Sequence, residues 1–347
     1  MKRLFLLFLL LFGLTAAIGG WLFLGPATGF SGNQYYLEVP TGSDYPTLFQ
    51  KLKQDNIIRY PGLFDMLARQ LDYPEKVRAG RYLIPKGASI ITVLRKLRNG
   101  QQEPVNLVIT KLRTKEDFAS LAGKKFEFDS AGMMRFLNSP DSAARYGLDT
   151  NTIMTAVFPD TYTYFWNTTP SRVMAKILKA RDAFWTDARK KQAANLGLTP
   201  EQVVIIASIV EEETNKNDEK GNVASVYLNR LKTGMKLGAD PTVKFALRDF
   251  SLKRIYNKHL AVESPYNTYR VNGLPPGPIC TPSRTTIDAV LQAPATPYLY
   301  FVAKPDFSGY HVFAETYTQH LANAKAYQEA LDKLMKTKQG EDTGNQP

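Results

Sequence analysis

The chain has one cysteine, Cys280, among 347 residues, so it cannot close an internal disulfide. It has three histidines, His259, His311 and His320, and they form no HExxH pair. A zinc site therefore has no ligand pattern to rest on, and no metal or cofactor is expected. There is no GxSxG element, and Cys280 lies between Pro278 and Pro282 without a neighbouring base, so nucleophilic serine or cysteine catalysis lacks support. Neither a P-loop nor a GxGxxG stretch is present. Charge is also missing in one place: after Lys2 and Arg3, no charged residue occurs until Glu38.

That uncharged N-terminus has a physical meaning. Leu4 to Leu24 is long enough to cross a bilayer as a helix. Lys2 and Arg3 would stay on the cytoplasmic side, which places the rest of the chain outside. The competing reading is a cleaved signal peptide with Leu4–Phe12 as its apolar region and a cut near Ala16-Ala17. Thr15 fits that cut poorly and the apolar run continues through Trp21 to Leu24, which favours an uncleaved single-span anchor. Net charge is +12. Export and the absence of basic runs interleaved with aromatics argue against nucleic acid, leaving anionic lipid, an anionic wall polymer or diffuse solubilising charge.

What the chain does contain is a buried-looking helix that runs into acid. Thr199-Pro-Glu-Gln has an N-cap residue, a proline at the first helical position and Gln202 where a capping box closes. Val203 to Val210 is apolar on nearly every side. Glu211, Glu212 and Glu213 follow. At about 100° per residue, Glu213 projects with Ile206, Ile209 and Val210, while Glu211 and Glu212 flank Ser208. If the helix reaches residue 213, that carboxyl is partly desolvated and its pKa rises, as a general acid requires. Alternatively the helix ends near Glu212 and all three acids are solvated, which is the commoner arrangement for such residues. With metal and nucleophile chemistry unsupported, carboxylate chemistry remains; Asp160 and Asp240 are candidates for a second carboxylate of the glycosidase kind.

Around this helix the periodicities predict an α+β chain. Residues 25–34 read as a linker and Tyr35–Val39 as a strand. Helical spacing follows over 45–57 and 61–72, then a strand at 78–87 and a helix from Ser89 to Gly100, making a module without clustered acids. Leu107–Thr110 reads as a strand, residues 115–200 as mostly helical, and Val157–Phe165 as a packed loop or edge strand. An amphipathic helix is expected over 221–231, and a long loop-rich stretch over 237–285. A hairpin at 298–315 and a helix at 318–336 close the fold, with a polar tail expected to be disordered.

Seven motifs in this order carry a resemblance. They are Phe158-Pro-Asp-Thr-Tyr, Ala207-Ser-Ile-Val-Glu-Glu-Glu-Thr, Val223-Ala-Ser-Val-Tyr-Leu-Asn-Arg-Leu, Met235-Lys-Leu with Asp240-Pro-Thr-Val, Tyr266-Asn-Thr-Tyr, Gly273-Leu-Pro-Pro-Gly-Pro-Ile with Pro282, and Pro297-Tyr-Leu-Tyr-Phe-Val-Ala. Together they resemble the endolytic murein transglycosylase family (MltG or YceG-like), over nearly the whole chain. Thr110-Lys-Leu-Arg departs from the family's strand, which leads into a Glu-Gly pair, and 115–155 matches poorly.

The resemblance implies an anchor at 1–30, a LysM-like domain at 35–103, a catalytic domain at 104–337 and a tail at 338–347. It implies cleavage of the MurNAc–GlcNAc bond of nascent peptidoglycan with a 1,6-anhydro-MurNAc end. The family's acid is the glutamate directly before threonine, which maps to Glu213. No external water needs activating, because the muramoyl O6 attacks its own C1. Asp160, Tyr162, Asp240, Thr242, Tyr266 and Asn267 are the expected substrate-binding residues; each could equally be loop scaffold or core. The expected place is the bacterial inner membrane with the catalytic domain on the periplasmic side, where peptidoglycan synthases would be neighbours. A hydrolytic muramidase, or a tethered wall-binding protein without activity, are the alternatives.

Overall fold

In the computed structural model of the chain, residues 2–343 are described, and their side chains from Arg3 to Lys336. Helix accounts for 52% and strand for 10%, so the mixed composition expected from the periodicities holds, with helix dominant. The strands pair as three separate two-stranded ribbons. The chain divides into two compact units, one built on residues 1–107 with 121–132 and 163–173, the other on the remainder.

The first unit begins with α1 (Lys2–Leu24). Its segment Arg3–Leu24 has a mean hydropathy of 2.2 and none of it is buried. At 1.5 Å per residue it is about 33 Å long, enough to cross a bilayer. The helix is thus compatible with a single-pass anchor. Next come β1 (Gln34–Val39), α2 (Tyr45–Gln54), α3 (Pro61–Gln70), a 310 turn, β2 (Gly80–Pro85) and α4 (Ile90–Asn99). β1 and β2 are antiparallel, with Leu37 opposite Tyr82 and Tyr35 opposite Ile84. The period-2 alternation puts Leu37, Val39, Tyr82 and Ile84 inside, where they meet Leu52, Phe64 and Leu94 of the helices. Ser89 caps α4 by accepting from the Thr92 amide, and Gly100, at φ +66°, ends it in the left-handed region that glycine adopts freely.

β3 (Pro104–Ile109) follows and pairs with β4 (Asp160–Phe165), the stretch whose sequence read as loop or edge strand. Between them lie α5 (Lys115–Gly123), α6 (Ser130–Leu137) and α7 (Pro140–Ala144). α8 (Pro170–Phe184) and α9 (Asp187–Asn195) lead to α10 (Pro200–Glu213).

α10 is the core of the second unit. Every residue from Val203 to Val210 is buried. It packs against α9, α11 (Lys220–Lys232), α12 (Asp240–Leu247) and α14 (Arg284–Leu291). Its one mid-helix polar residue, Ser208, accepts a bond from the Ile279 amide at 3.0 Å, so the Pro-rich stretch after Gly273 is stitched across the helix. A four-residue α13 (Asn257–Leu260) interrupts the loops. β5 (Tyr300–Ala303) and β6 (His311–Ala314) form the expected hairpin, and α15 (Tyr317–Thr343) packs on it.

Two expectations need correction. The stretch 237–285 is not loop throughout: Asp240-Pro241 opens α12, because proline in the first turn preorganises a helix start and Asp240 suits its positive end. The polar tail is helical through Thr343, as an extension of α15; the rest of the expected tail, 344–347, lies outside the described residues.

Candidate active site

The site is set by where α10 starts and where it stops. Thr199 accepts from the Gln202 amide, and Gln202 accepts from the Thr199 amide at 2.9 Å, closing the capping box. After fourteen helical residues Thr214 leaves the helix in an extended conformation, φ −144° and ψ 143°. Its hydroxyl donates to Glu219 at 2.7 Å. Glu219, itself buried, is bonded to His311 of β6 by both the backbone amide and the ring Nδ1, at 3.0 and 2.8 Å. The end of α10 is thus tied to the hairpin through a threonine, a glutamate and a histidine.

Three successive acids at this end have three different fates. Glu211 turns toward α14 and accepts from Lys220 and Ser283, each at 3.1 Å, and from the Thr286 hydroxyl. Burial opposes its charge, yet these donors hold its pKa below the usual glutamate value. Glu212 is gripped by Lys111 and Arg113 at 3.0 and 3.1 Å. These two cations belong to the Thr110-Lys-Leu-Arg stretch that departs from the family pattern.

Glu213 has no cation in ion-pair range among the described residues. Its Oε1 accepts from the Tyr227 hydroxyl of α11 at 2.5 Å. Burial pushes its pKa up to about 7; the Tyr227 bond pulls it down, the Asp240 charge raises it, and the charges of Arg230 and Lys244 lower it. The residue as a whole is partly exposed. The desolvation that helical projection assigned to Glu213 is present, and helix α10 does extend to it.

Around this carboxyl stand groups from three elements. Arg230 of α11 donates to the Leu299 carbonyl at 2.7 Å and to the Leu237 carbonyl, so its charge is fixed without a carboxylate partner. Asp240, exposed at the start of α12, accepts from the Tyr269 hydroxyl at 2.6 Å. Burial raises the Tyr269 pKa, and its bond to Asp240 and the charges of Asp240 and Glu213 raise it further. The arrangement can therefore give a proton from Glu213 near neutral pH and take one back, with Tyr227 holding one carboxyl oxygen and leaving the other free.

Other expected residues sit elsewhere. Asp160 on β4 is paired with Arg284 at 2.7 Å, and its charge is felt at Tyr162. Tyr162 is buried, with its hydroxyl 3.5 Å from the Phe158 carbonyl. Thr242 is buried and bonded to Ala239 and Thr268. Asn267 is buried too, its amide donating to the Leu260 and Val262 carbonyls, which shapes the loop after α13. These three have the surroundings of scaffold. Tyr266 packs against Phe245 with ring centroids 4.6 Å apart and planes tilted by 44°, and lines a cavity beside α12. A larger cavity, about 750 Å³, lies at the opposite end of α10 beside Thr199 and Gln202.

Sequence reasoning missed Tyr227, which reads as one more apolar position of α11, and Arg230 and Lys244. A hydroxyl on an otherwise oily face was the available signal for the first.

Comparison with known proteins adds a second line. The YceG-like family model matches residues 37–326. The chain is similar to the endolytic murein transglycosylase of Bacillus subtilis, with 26% identity over 320 residues, covering 88% of each chain. It is 27% identical to the endolytic murein transglycosylase of Streptococcus pneumoniae over 338 residues; that match covers 82% of this chain and 59% of the relative. A crystal structure of a protein from Listeria monocytogenes, described as yceG-like, superposes with a TM-score of 0.55 at 25% identity, covering 84% of this chain and 99% of that one.

Proposed function

The chain belongs to the YceG-like family, and from that premise we propose that it is an endolytic lytic transglycosylase of peptidoglycan with Glu213 as its acid and base. The observation that carries this reading is the Glu213 carboxyl at the end of α10, which burial pushes up to a pKa of about 7. The relatives' name supplies the substrate class.

Protonated Glu213 gives its proton to the glycosidic oxygen between MurNAc and GlcNAc. The C1–O bond breaks, and the GlcNAc leaves with a new hydroxyl. Positive charge develops at C1, and the muramoyl O6 hydroxyl attacks it. The O6 proton returns to Glu213, and a 1,6-anhydro-MurNAc end forms without consumption of water. Tyr227 steadies the transient carboxylate through its bond to Oε1. Asp240 adds a negative charge near the developing cation and helps keep Glu213 protonated.

The α1 helix anchors the enzyme with Lys2 and Arg3 on the cytoplasmic side and the chain after it in the periplasm. The antiparallel β1–β2 pair with α2 and α3 between its strands supports the LysM-like reading of 35–103, a module for holding glycan. Peptidoglycan synthases are the protein neighbours this placement implies.

Digestion of purified sacculi followed by mass analysis tests the proposal. Anhydro ends that vanish with Glu213→Gln are expected. Reducing ends would make the enzyme a hydrolase, and unchanged digestion by the variant would remove Glu213 from the chemistry.

A further inference from the structure

α12 carries a charged residue every fourth position: Asp240, Lys244 and, as its C-cap, Arg248. Side chains four apart share one helix face, and eight residues advance about 12 Å along the axis. The charges of Asp240 and Lys244 act on Glu213, so this face leads away from the candidate acid. At its far end, Arg248 and Lys115 line a cavity of about 250 Å³, with Phe245, Tyr266 and Arg113 also in its wall.

Among the residues lining this cavity, one carboxylate, Glu116, faces three cations, Arg113, Lys115 and Arg248. Arg113 is committed to Glu212. Arg248 lies 3.6 Å from Glu116, a pair whose side chains are both more than half exposed and which is correspondingly weak. Lys115 has its ammonium 3.0 Å from the neutral Asn138 amide oxygen, not on a carboxylate. Burial pulls the Lys115 pKa below its ordinary value, the Glu116 and Asp149 charges oppose this, and Arg248 adds repulsion. Asp149 is itself occupied with the amides of Asn151 and Thr152 and the Thr152 hydroxyl. Arg248 also stands at φ +56°, a left-handed conformation that is costly for a non-glycine residue. Its guanidinium lies 5.0 Å from the centre of the Phe245 ring.

Two cations held together beside aromatic rings, one partly desolvated with its ammonium on a neutral amide, make a place for an anionic group. If Glu213 acts on muramoyl glycan, each muramoyl residue brings a peptide stem bearing carboxylates. The 12 Å advance along α12 is on the order of the reach of a lactyl group, two extended residues and a glutamate side chain. We infer that this cavity binds a carboxylate of the peptide stem on the muramoyl residue at Glu213, with Lys115 and Arg248 as its two cations. The inference rests on the proposed transglycosylase reading and deepens it: the enzyme reads stems as well as sugar, and strands stripped of peptide lose that contact.

Binding, not cleavage, gives the test. The full chain in detergent is titrated calorimetrically with N-acetylmuramoyl-L-alanyl-D-glutamic acid and with the same compound amidated at both carboxyls. The acid should bind about tenfold more tightly, the scale of one charge-assisted hydrogen bond. The double variant Lys115→Gln, Arg248→Asn should erase that preference. Should the double variant fail to fold, Arg248→Asn alone, at an exposed residue and with a side chain suited to the left-handed conformation, should reduce it. Equal affinities in the unsubstituted chain, no binding of the acid, or a preference that survives substitution would overturn the inference. A chain that shows the preference but leaves glycan uncut keeps the anion site and loses the transglycosylase reading.

Discussion

Tyr227 donates its hydroxyl hydrogen to Oε1 of Glu213 at 2.5 Å, joining the middle of α11 to the last residue of α10. Such a bond favours the charged form of the carboxyl, against the burial that disfavours it. Tyr227→Phe should therefore raise the Glu213 pKa above about 7. The alkaline limb of the kcat/KM profile should move to higher pH, while kcat falls because the carboxylate formed in the reaction loses its donor. A pH–rate profile of the variant checks the direction; an acid-ward move would contradict it.

The three glutamates should separate cleanly. Glu213→Gln removes the proton donor, and activity should drop by about 100-fold or more. Glu211→Gln weakens an ion pair with buried Lys220, so it should lower the melting temperature more than it lowers kcat. Parallel measurements of kcat and thermal unfolding on the two variants decide.

Glu213 should also cost the fold stability. A carboxyl whose pKa rises from 4.5 to about 7 on folding keeps its proton in the folded chain where the unfolded chain has lost it. Stability from this group is then highest below pH 4.5, falls as pH rises toward 7, and levels off above. The full shift corresponds to at most about 3 kcal/mol. Glu213→Gln, which has no charge to bury, should melt higher than the parent at pH 8 and about equally at pH 4. Denaturation at the two pH values checks this.

The tie from Thr214 through Glu219 to His311 positions the end of α10. Glu219→Ala strips a buried partner from both, and a loss of about 3 kcal/mol is expected. Thr214→Val keeps the shape and removes the hydroxyl, so a smaller stability loss, about 1 kcal/mol, should accompany a fall in kcat with KM little changed. Equal kcat in Thr214→Val and the parent would make the tie purely structural.

How far the sequence reaches is plain from particular residues. The start of α10 was legible because Thr199, Pro200 and Gln202 each have a local reason to be there. The lean of Glu213 toward the oily face followed from helical period alone. The partners of its neighbours did not, since Lys111 and Arg113 lie about a hundred positions upstream of Glu212 and Ser283 and Thr286 far downstream of Glu211. The α12 helix was hidden because Asp240-Pro-Thr sits among glycines and prolines that suggested loop. For Tyr162, Thr242 and Asn267 the sequence leaves ligand contact and scaffold equally open, because periodicity cannot foretell the hydrogen bonds they make within the fold.

Acid catalysis by Glu213 requires that its side chain be protonated near neutral pH, which carbon-13 carboxyl resonances report. The full chain labelled at glutamate carboxyls is titrated, and subtraction of the Glu213→Gln spectra isolates the resonance. A midpoint near pH 7 is predicted. A midpoint at the ordinary glutamate value of about 4.5 would contradict it.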